Sequence, residues 1–322
     1  MLRLEPVRIY PPLIERAMVI TGATAAGKSE LAMQVAESLR GEVLSLDSIA
    51  VYRGMDIGTA KPTADDRARV PHHLIDLAAP DQDFSVAMYL DAAHQAVEEI
   101  RSRGNVPIFV GGTPMYLKAI VRGFDPGPPP DWEFRESVER EVEVHGAEKL
   151  HERLQQVDPL SASRIERNDV RRMIRALEVS KLTGVPLSHR QIQFDQAVHA
   201  NSCGVFAVQH PRNVLHERIN RRVRDMFEIG LVDEVKALLG RYQTLSRTAR
   251  QAVGYRELLD WLKEPEQSID NVIEAVCAHT RQLARRQETW FRSFSEITTI
   301  PATQAQEVCS LIDQRSRSLG IR

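Results

Sequence analysis

Apolar positions change their period from one segment of the chain to the next. Residues 17–21 (AMVIT) form a run of strand length, and the chain then enters a glycine-bracketed loop at residues 22–29. Leu31, Val35 and Leu39 follow at helical spacing with Ala32 and Ala36 beside them, which predicts an amphipathic helix that stops at Gly41. A second strand is expected at residues 43–46, running into Asp47 and Ser48. A helix is expected at 86–103, ending at Gly104, and a third strand at 106–110, opening into Gly111, Gly112 and Thr113. This alternation predicts a parallel, doubly wound sheet, in which ligands sit beyond the carboxyl ends of the strands. Three polar features fall on strand ends: the glycine loop, Asp47 and Thr113.

The pattern breaks at residues 123–130 (GFDPGPPP), where Pro and Gly are too dense for a helix or a central strand. Residues 132–184 read as helical, a strand-like run returns at 205–208, and helix dominates from 214 to 294, with breaks near 244–250 and at Pro265. The expected organisation is an α/β core at 1–122 and 201–322, helical toward its C-terminus, with a helical insertion at 123–200. In the helix starting near Val214, Val223, Phe227 and Val235 are expected to share a core stripe. Arg218, Arg221 and Arg222 then occupy neighbouring polar positions.

Composition narrows the class. With 322 residues, 43% hydrophobic and 27% charged, the chain fits a globular protein able to bury a core without disulfide or metal staples. No apolar run approaches the ~20 residues needed to cross a bilayer, and the first 16 residues carry no apolar signal core. Cys203, Cys277 and Cys309 lie far apart with no paired spacing, so a reducing cytoplasm is expected and a zinc cassette is not. The net charge of −2 conceals opposite halves: Lys and Arg number 11 against 18 acidic residues in 61–160, and 17 against 11 in 161–260. Such asymmetry fits a nucleic-acid-facing surface or merely solvated helix faces of opposite bias.

The glycine loop is chemically specific. Gly22, Ala23, Thr24, Ala25, Ala26, Gly27, Lys28 and Ser29 satisfy G-x-x-x-x-G-K-[ST] between a strand and a helix, which makes the core P-loop NTPase-like. Backbone amides and the helix N-terminus attract phosphate, Lys28 adds a charge, and the Ser29 hydroxyl is a ligand for Mg²⁺. The loop does not say what is transferred. No Asn-Lys-x-Asp guanine motif is present, so a GTPase is disfavoured, whereas a small-molecule kinase with Asp47 as metal or base residue fits. A non-catalytic RNA-binding ATPase module is a further reading.

Several segments together resemble the tRNA dimethylallyltransferase family. They are the phosphate loop; Asp47 and Ser48 with residues 51–62 (VYRGMDIGTAKP); Gly111, Gly112 and Thr113; residues 251–255 (QAVGY); and residues 280–287 (TRQLARRQ) followed by Trp290, Phe291 and Arg292. The resemblance implies transfer of a dimethylallyl group from dimethylallyl diphosphate to the exocyclic amine of the adenosine next to the tRNA anticodon, with the phosphate loop holding the prenyl diphosphate. It implies that Asp47 takes the amine's proton, that Thr113 hydrogen-bonds the diphosphate and that Arg222 stabilises the leaving group. For Asp47 a helix cap is the plainer alternative, and for Thr113 a turn residue. A cytokinin-type transferase acting on free AMP or ADP shares these features but needs no 75-residue gripping insertion.

By the same resemblance, residues 123–200 grip the anticodon stem-loop, and the target base is turned out to meet the prenyl carbon. Its RNA contacts would be Asp47, Ser48, Ile49, Ala50, Thr113, Arg135, Arg171, Arg172, Arg175, Arg250, Gly254, Tyr255, Arg256, Arg281 and Arg285, extended by Arg286. Arg171, Arg172 and Arg175 fall on one helical face, and most such contacts should position phosphate without reading sequence. A monomer is expected. The family usually has Gln where Ala50 stands, and Ala23 and Pro114 also depart from its loops. Without paired cysteines the zinc finger of eukaryotic relatives is not expected, and the resemblance is to the bacterial type.

Overall fold

The computed structural model describes residues 9–191, 200, 203–263, 268–302 and 305–321; the break expected at Pro265 lies outside them. Contacts divide the chain into two units: residues 13–121 with the described part of 197–322, and residues 9–12 with the described part of 122–196. The core unit starts with β1 (Met18–Gly22), α1 (Lys28–Leu39), β2 (Gly41–Leu46), α2 (Ala64–Arg69) and β3 (His72–His73). It continues through α3 (Val86–Ser102), β4 (Val106–Gly111) and α4 (Pro114–Arg122). The helical unit holds α5 (Trp132–Val157), α6 (Pro159–Arg164), α7 (Val170–Thr183) and α8 (Leu187–Arg190). The chain then returns to the core as β5 (Val205–Gln209), α9 (Arg212–Ile229), α10 (Leu231–Arg241) and α11 (Arg247–Arg250). It ends with α12 (Tyr255–Trp261), α13 (Ile269–Phe291), β6 (Ile297–Pro301) and α14 (Ala305–Ser318).

The described strands form one parallel sheet in the order β3-β2-β4-β1-β5-β6. β4 lies between β1 and β2, with Gly111 in register with both Thr21 and Leu46. The carboxyl ends of these three strands are therefore neighbours, and residues 22–29, Asp47 and Gly112–Thr113 emerge along one edge. Both faces are covered, which is why the strands read as continuous apolar runs. Met18, Ile20, Val43, Ile108, Phe206 and Ile300 pack against Leu31, Val35 and Leu39 of α1 and Ile312 of α14. The alternate residues Leu44 and Phe109 point to the opposite face, where α3 buries Tyr89, Leu90 and Val97. Each large apolar side chain so buried contributes roughly 1.5–3 kcal/mol.

Several expectations are corrected. Gly41 does not stop α1: Arg40 does, at φ 53, and Gly41 is the first residue of β2, where a Cβ would lie 2.5 Å from Ile108 Cδ1. The stripe of α9 is Leu215, Ile219 and Val223; Phe227 is half-buried, and Val235 belongs to α10 beyond the break at Gly230. The two-residue β3, the edge strand β6 and the helices α2 and α14 were not foreseen. Tyr10 pairs antiparallel with Phe124, which groups residues 9–12 with the helical unit and not with the core.

The helical unit buries Phe134, Val138, Leu150, Leu154, Met173, Ile174 and Leu177. Asp131, Asp158 and Asp169 cap α5, α6 and α7 by accepting the amides of Phe134, Ser161 and Arg172. Gly146 interrupts the helical backbone of α5 at φ 80 and ψ 164. No helix among the described residues is long and apolar enough to cross a membrane.

Candidate active site

The phosphate loop joins β1 to α1 as its motif requires. Ala25 is left-handed (φ 62), Ala26 N donates to Ala23 O at 3.2 Å, and Lys28 Nζ folds back onto Ala23 O at 2.7 Å. Arg218 Nε of α9 donates to Ala25 O at 2.8 Å, so the arginine helix braces the loop from outside. The loop borders a cleft of about 540 Å³, inside the usual range for small-ligand sites. Thr24, Lys28, Ser29, Asp47, Ala50, Gly112, Arg222 and Gln287 line it, together with residues 59–62. Ala32, Met33, Val43, Ile75 and Val110 supply an apolar wall.

Asp47 follows β2 and serves two purposes. Its Oδ1 accepts the amides of Ile49 at 2.8 Å and Ala50 at 3.3 Å, the turn-capping role considered for it above. Among the described residues Oδ2 accepts no hydrogen bond, so the carboxylate is oriented by one oxygen and keeps the other for the cleft. Ala50 is buried and lines the same cleft, with no side-chain amide to offer a base. Thr113 does not line this cleft. Its hydroxyl accepts Ser48 N at 3.0 Å and reaches Ser48 Oγ at 3.4 Å, while its own amide donates to Leu46 O. Thr113 thus locks the ends of β2 and β4 together.

Two cations face the carboxylate. Burial first, and then the charge of Arg222, push the Lys28 ammonium down to about 7, while Asp47 acts in the other direction. Burial likewise lowers the Arg222 pKa, with Asp47 opposing it. Among the described residues Arg222 makes no ion pair, so two crowded cations and one carboxylate face a space suited to a polyanion. Ser29, exposed at the start of α1, adds a hydroxyl.

Two residues to which the sequence assigned no role organise the loops. Gln287 of α13 is buried; its Oε1 accepts Thr24 N at 2.9 Å and its Nε2 donates to Gly112 O at 2.8 Å. A Cβ at Gly112 would lie 2.6 Å from that Nε2, so the close approach requires glycine. The clue is the polar Gln287 in the buried stripe Ala284, Gln287 and Phe291. Glu234, in the first turn of α10, accepts the amides of Asp56 (2.8 Å), Ile57 (2.7 Å) and Gly58 (3.3 Å) and the Tyr255 hydroxyl (2.6 Å). It thereby holds the segment that leads into residues 59–62.

The expected RNA contacts divide. Tyr255 is fully buried, its hydroxyl engaged with Glu234, and Gly254 is buried beside it, so this pair is structural and presents no surface to RNA. Arg135 and Arg175 turn inward. Arg135 Nε and Nη2 reach the fully buried Glu178 at 2.7 and 2.8 Å, and Arg175 pairs with the same carboxylate while donating to Pro126 O and Pro128 O. Burial opposes the charge on Glu178, but Arg135, Arg175 and the Asp131 amide hold its pKa below the usual carboxylate value. Arg171, Arg172, Arg250, Arg256 and Arg285 are exposed, and Arg281 is half-exposed and bonded to Asn220. Arg256 pairs with Glu257, and Arg172 with Asp169.

Known proteins match this arrangement over most of its length. The family described as IPP transferase matches residues 50–294. A tRNA dimethylallyltransferase of Rhodopirellula baltica is 56% identical over 89% of this chain and 88% of its own, and one of Geobacter sulfurreducens is 44% identical over 86% and 89%. The crystal structure of the tRNA isopentenylpyrophosphate transferase of Bacillus halodurans superposes with a TM-score of 0.68 at 37% identity, covering 95% of this chain and 98% of that one. A eukaryotic dimethylallyltransferase studied in crystals acting on tRNA gives 0.74 at 27% identity, over 93% and 77%. With a phosphate loop, a strand-end carboxylate and paired cations around one cleft, and with these relatives along nearly its whole length, the chain belongs to the tRNA dimethylallyltransferase (IPP transferase) family.

Proposed function

We propose that the chain transfers the dimethylallyl group of dimethylallyl diphosphate to the exocyclic amine of the adenosine next to the tRNA anticodon. The observation that carries this reading is Asp47, oriented by its own turn and facing Lys28 and Arg222 across one cleft. The diphosphate binds at residues 22–29. The amine nitrogen bonds to the allylic carbon as the carbon–oxygen bond breaks, and the bonding electrons leave with the diphosphate. Lys28, Arg222 and the loop amides balance the growing negative charge. The nitrogen's proton passes to Oδ2 of Asp47, which offsets the weak nucleophilicity of an amine conjugated to its ring.

Among the described residues no group of three or more His, Cys, Asp or Glu is placed to hold a metal. Mg²⁺ typically binds through one or two protein oxygens and substrate phosphates, and the exposed Ser29 hydroxyl at the start of α1 fits that donor set. Bound there it would neutralise diphosphate charge. The helical unit would grip the anticodon stem-loop through Arg171 and Arg172, and the core through Arg250, Arg256, Arg281 and Arg285. Thr113, whose hydroxyl is spent on Ser48, contributes by holding Ser48 beside Asp47. The protein would act as a monomer.

The test incubates the protein with labelled dimethylallyl diphosphate, Mg²⁺ and mixed tRNA. Label is expected on an anticodon-loop adenosine. Label on free AMP, or ATP turnover without the prenyl donor, would overturn the reading.

A further inference from the structure

We infer that Gln287 is a positioning residue for the transfer, setting the distance between the diphosphate-binding loop and the strand ends that carry Asp47 and Thr113. The inference rests on the proposed function and deepens it. Gln287 arrives from α13, far along the chain from either loop, and spends both ends of its amide on them: Oε1 on Thr24 N and Nε2 on Gly112 O. These partners also settle which end is which, since a backbone amide only donates and a carbonyl only accepts. Gly112 leads into Thr113, which in turn holds Ser48 N next to Asp47. Three hydrogen bonds joined by the peptide links Gly112–Thr113 and Asp47–Ser48 therefore connect the phosphate loop through Gln287 to the carboxylate. The side chain is 8% exposed and borders the cleft, so its two bonds are made where water competes poorly.

The chemistry gives this bridge a purpose. The donor carbon is fixed by the diphosphate in residues 22–29, whereas the acceptor nitrogen must lie beside Asp47. No covalent bond within the site enforces that separation, and displacement of a reacting group by about 1 Å can cost on the order of a hundredfold in rate. With both ends of its amide spent on Thr24 and Gly112, Gln287 acts through the two loops it joins. Its loss should therefore slow the chemical step and leave the grip on RNA nearly intact.

Gln287→Leu and Gln287→Glu test this. Leu removes both bonds. Glu keeps the shape and the acceptor toward Thr24 N, but when ionised it sets a second oxygen against Gly112 O; once protonated it can donate there again. Single-turnover transfer from labelled dimethylallyl diphosphate to tRNA is measured with each variant, with tRNA affinity by filter binding and folding by thermal melting.

The expected result is a fall in the single-turnover rate of about a hundredfold for Gln287→Leu, with the tRNA Kd changed by less than about threefold. The ratio of Gln287→Glu to wild-type rate should rise as pH falls from 8.5 to 6, a signature that lost stability alone does not produce. A folded Gln287→Leu with a rate within twofold of wild type would overturn the inference. So would a loss of tRNA affinity as large as the loss of rate, or a pH-independent ratio for Gln287→Glu. Failure of the wild-type protein to prenylate tRNA would instead defeat the proposed function, so the two failures are distinguishable.

Discussion

Lys28 should take up a proton when the diphosphate binds. Burial and the neighbouring Arg222 hold its ammonium near pKa 7 in the free protein, although Asp47 pulls the other way. A bound diphosphate brings several negative charges to this side chain and should raise its pKa again. Only about a tenth of the Lys28 side chains are charged in the free protein at pH 8, and nearly all in the complex. Lys28 should therefore take up most of a proton on diphosphate binding at pH 8, and progressively less as pH falls through 7. Calorimetry with inorganic diphosphate in two buffers of different ionisation enthalpy reads this uptake directly. Subtracting the same measurement on Lys28→Met removes the ligand's own ionisation. The stability of the free protein carries the matching sign. A lysine with a lowered folded pKa destabilises in full below pH 7, and that cost disappears as pH rises past 10. Lys28→Met should therefore gain on wild type in melting temperature at pH 6.5 and lose that advantage at pH 10. Equal proton uptake by the two proteins at pH 8 would refute the crowded-cation account of the site.

Other predictions follow from the contacts around the cleft and in the helical unit. Glu234→Ala strands the amides of Asp56, Ile57 and Gly58 and the Tyr255 hydroxyl. It should cost about 3 kcal/mol in denaturant unfolding and raise the KM for the prenyl donor, with Glu234→Gln losing less than half as much. If the proposed RNA contact through Arg172 is made, Arg172→Ala should weaken tRNA binding and lower its salt slope by about 0.9, since this arginine is exposed and pairs with Asp169 at the surface. Arg175→Ala should leave that slope unchanged and lower stability by about 3 kcal/mol, since it deprives buried Glu178 of a partner. A reversal of these two phenotypes in filter binding and thermal melting would show the division of the arginines to be wrong.

The parts of the site near each other in sequence were readable from it. Residues 22–29 carry their geometry in their own glycines, and Asp47 and Thr113 are marked by the apolar runs that end just before them. The two units were visible in the proline-rich segment 123–130, although Tyr10 attaches to Phe124 with no pattern to announce it. Long-range pairing was hidden. Arg135, Arg171, Arg172 and Arg175 look alike in a helical sequence, and only the buried Glu178 in reach of two of them separates structural from exposed arginines. Tyr255 is implied as an RNA contact by the family resemblance alone, yet its ring fills the interior and its hydroxyl finds Glu234. Gln287 and Glu234 matter through partners more than 170 positions away, which no local period reveals. The edge strand β6 (Ile297–Pro301) alternates weakly, contains two threonines and buries only Ile300, so backbone pairing with β5 and not periodicity defines it.

The central claim is that Asp47 accepts the proton as the prenyl group moves to the adenosine amine. Asp47→Asn preserves the shape and, through its amide oxygen, the turn bonds to Ile49 and Ala50. Single-turnover transfer of labelled dimethylallyl from its diphosphate to tRNA, with Mg²⁺ present, compares this variant with wild type. The account predicts label on one anticodon-loop adenosine with wild type, and a rate lowered at least a hundredfold in Asp47→Asn while diphosphate and tRNA still bind. A variant rate within a few fold of wild type would contradict it.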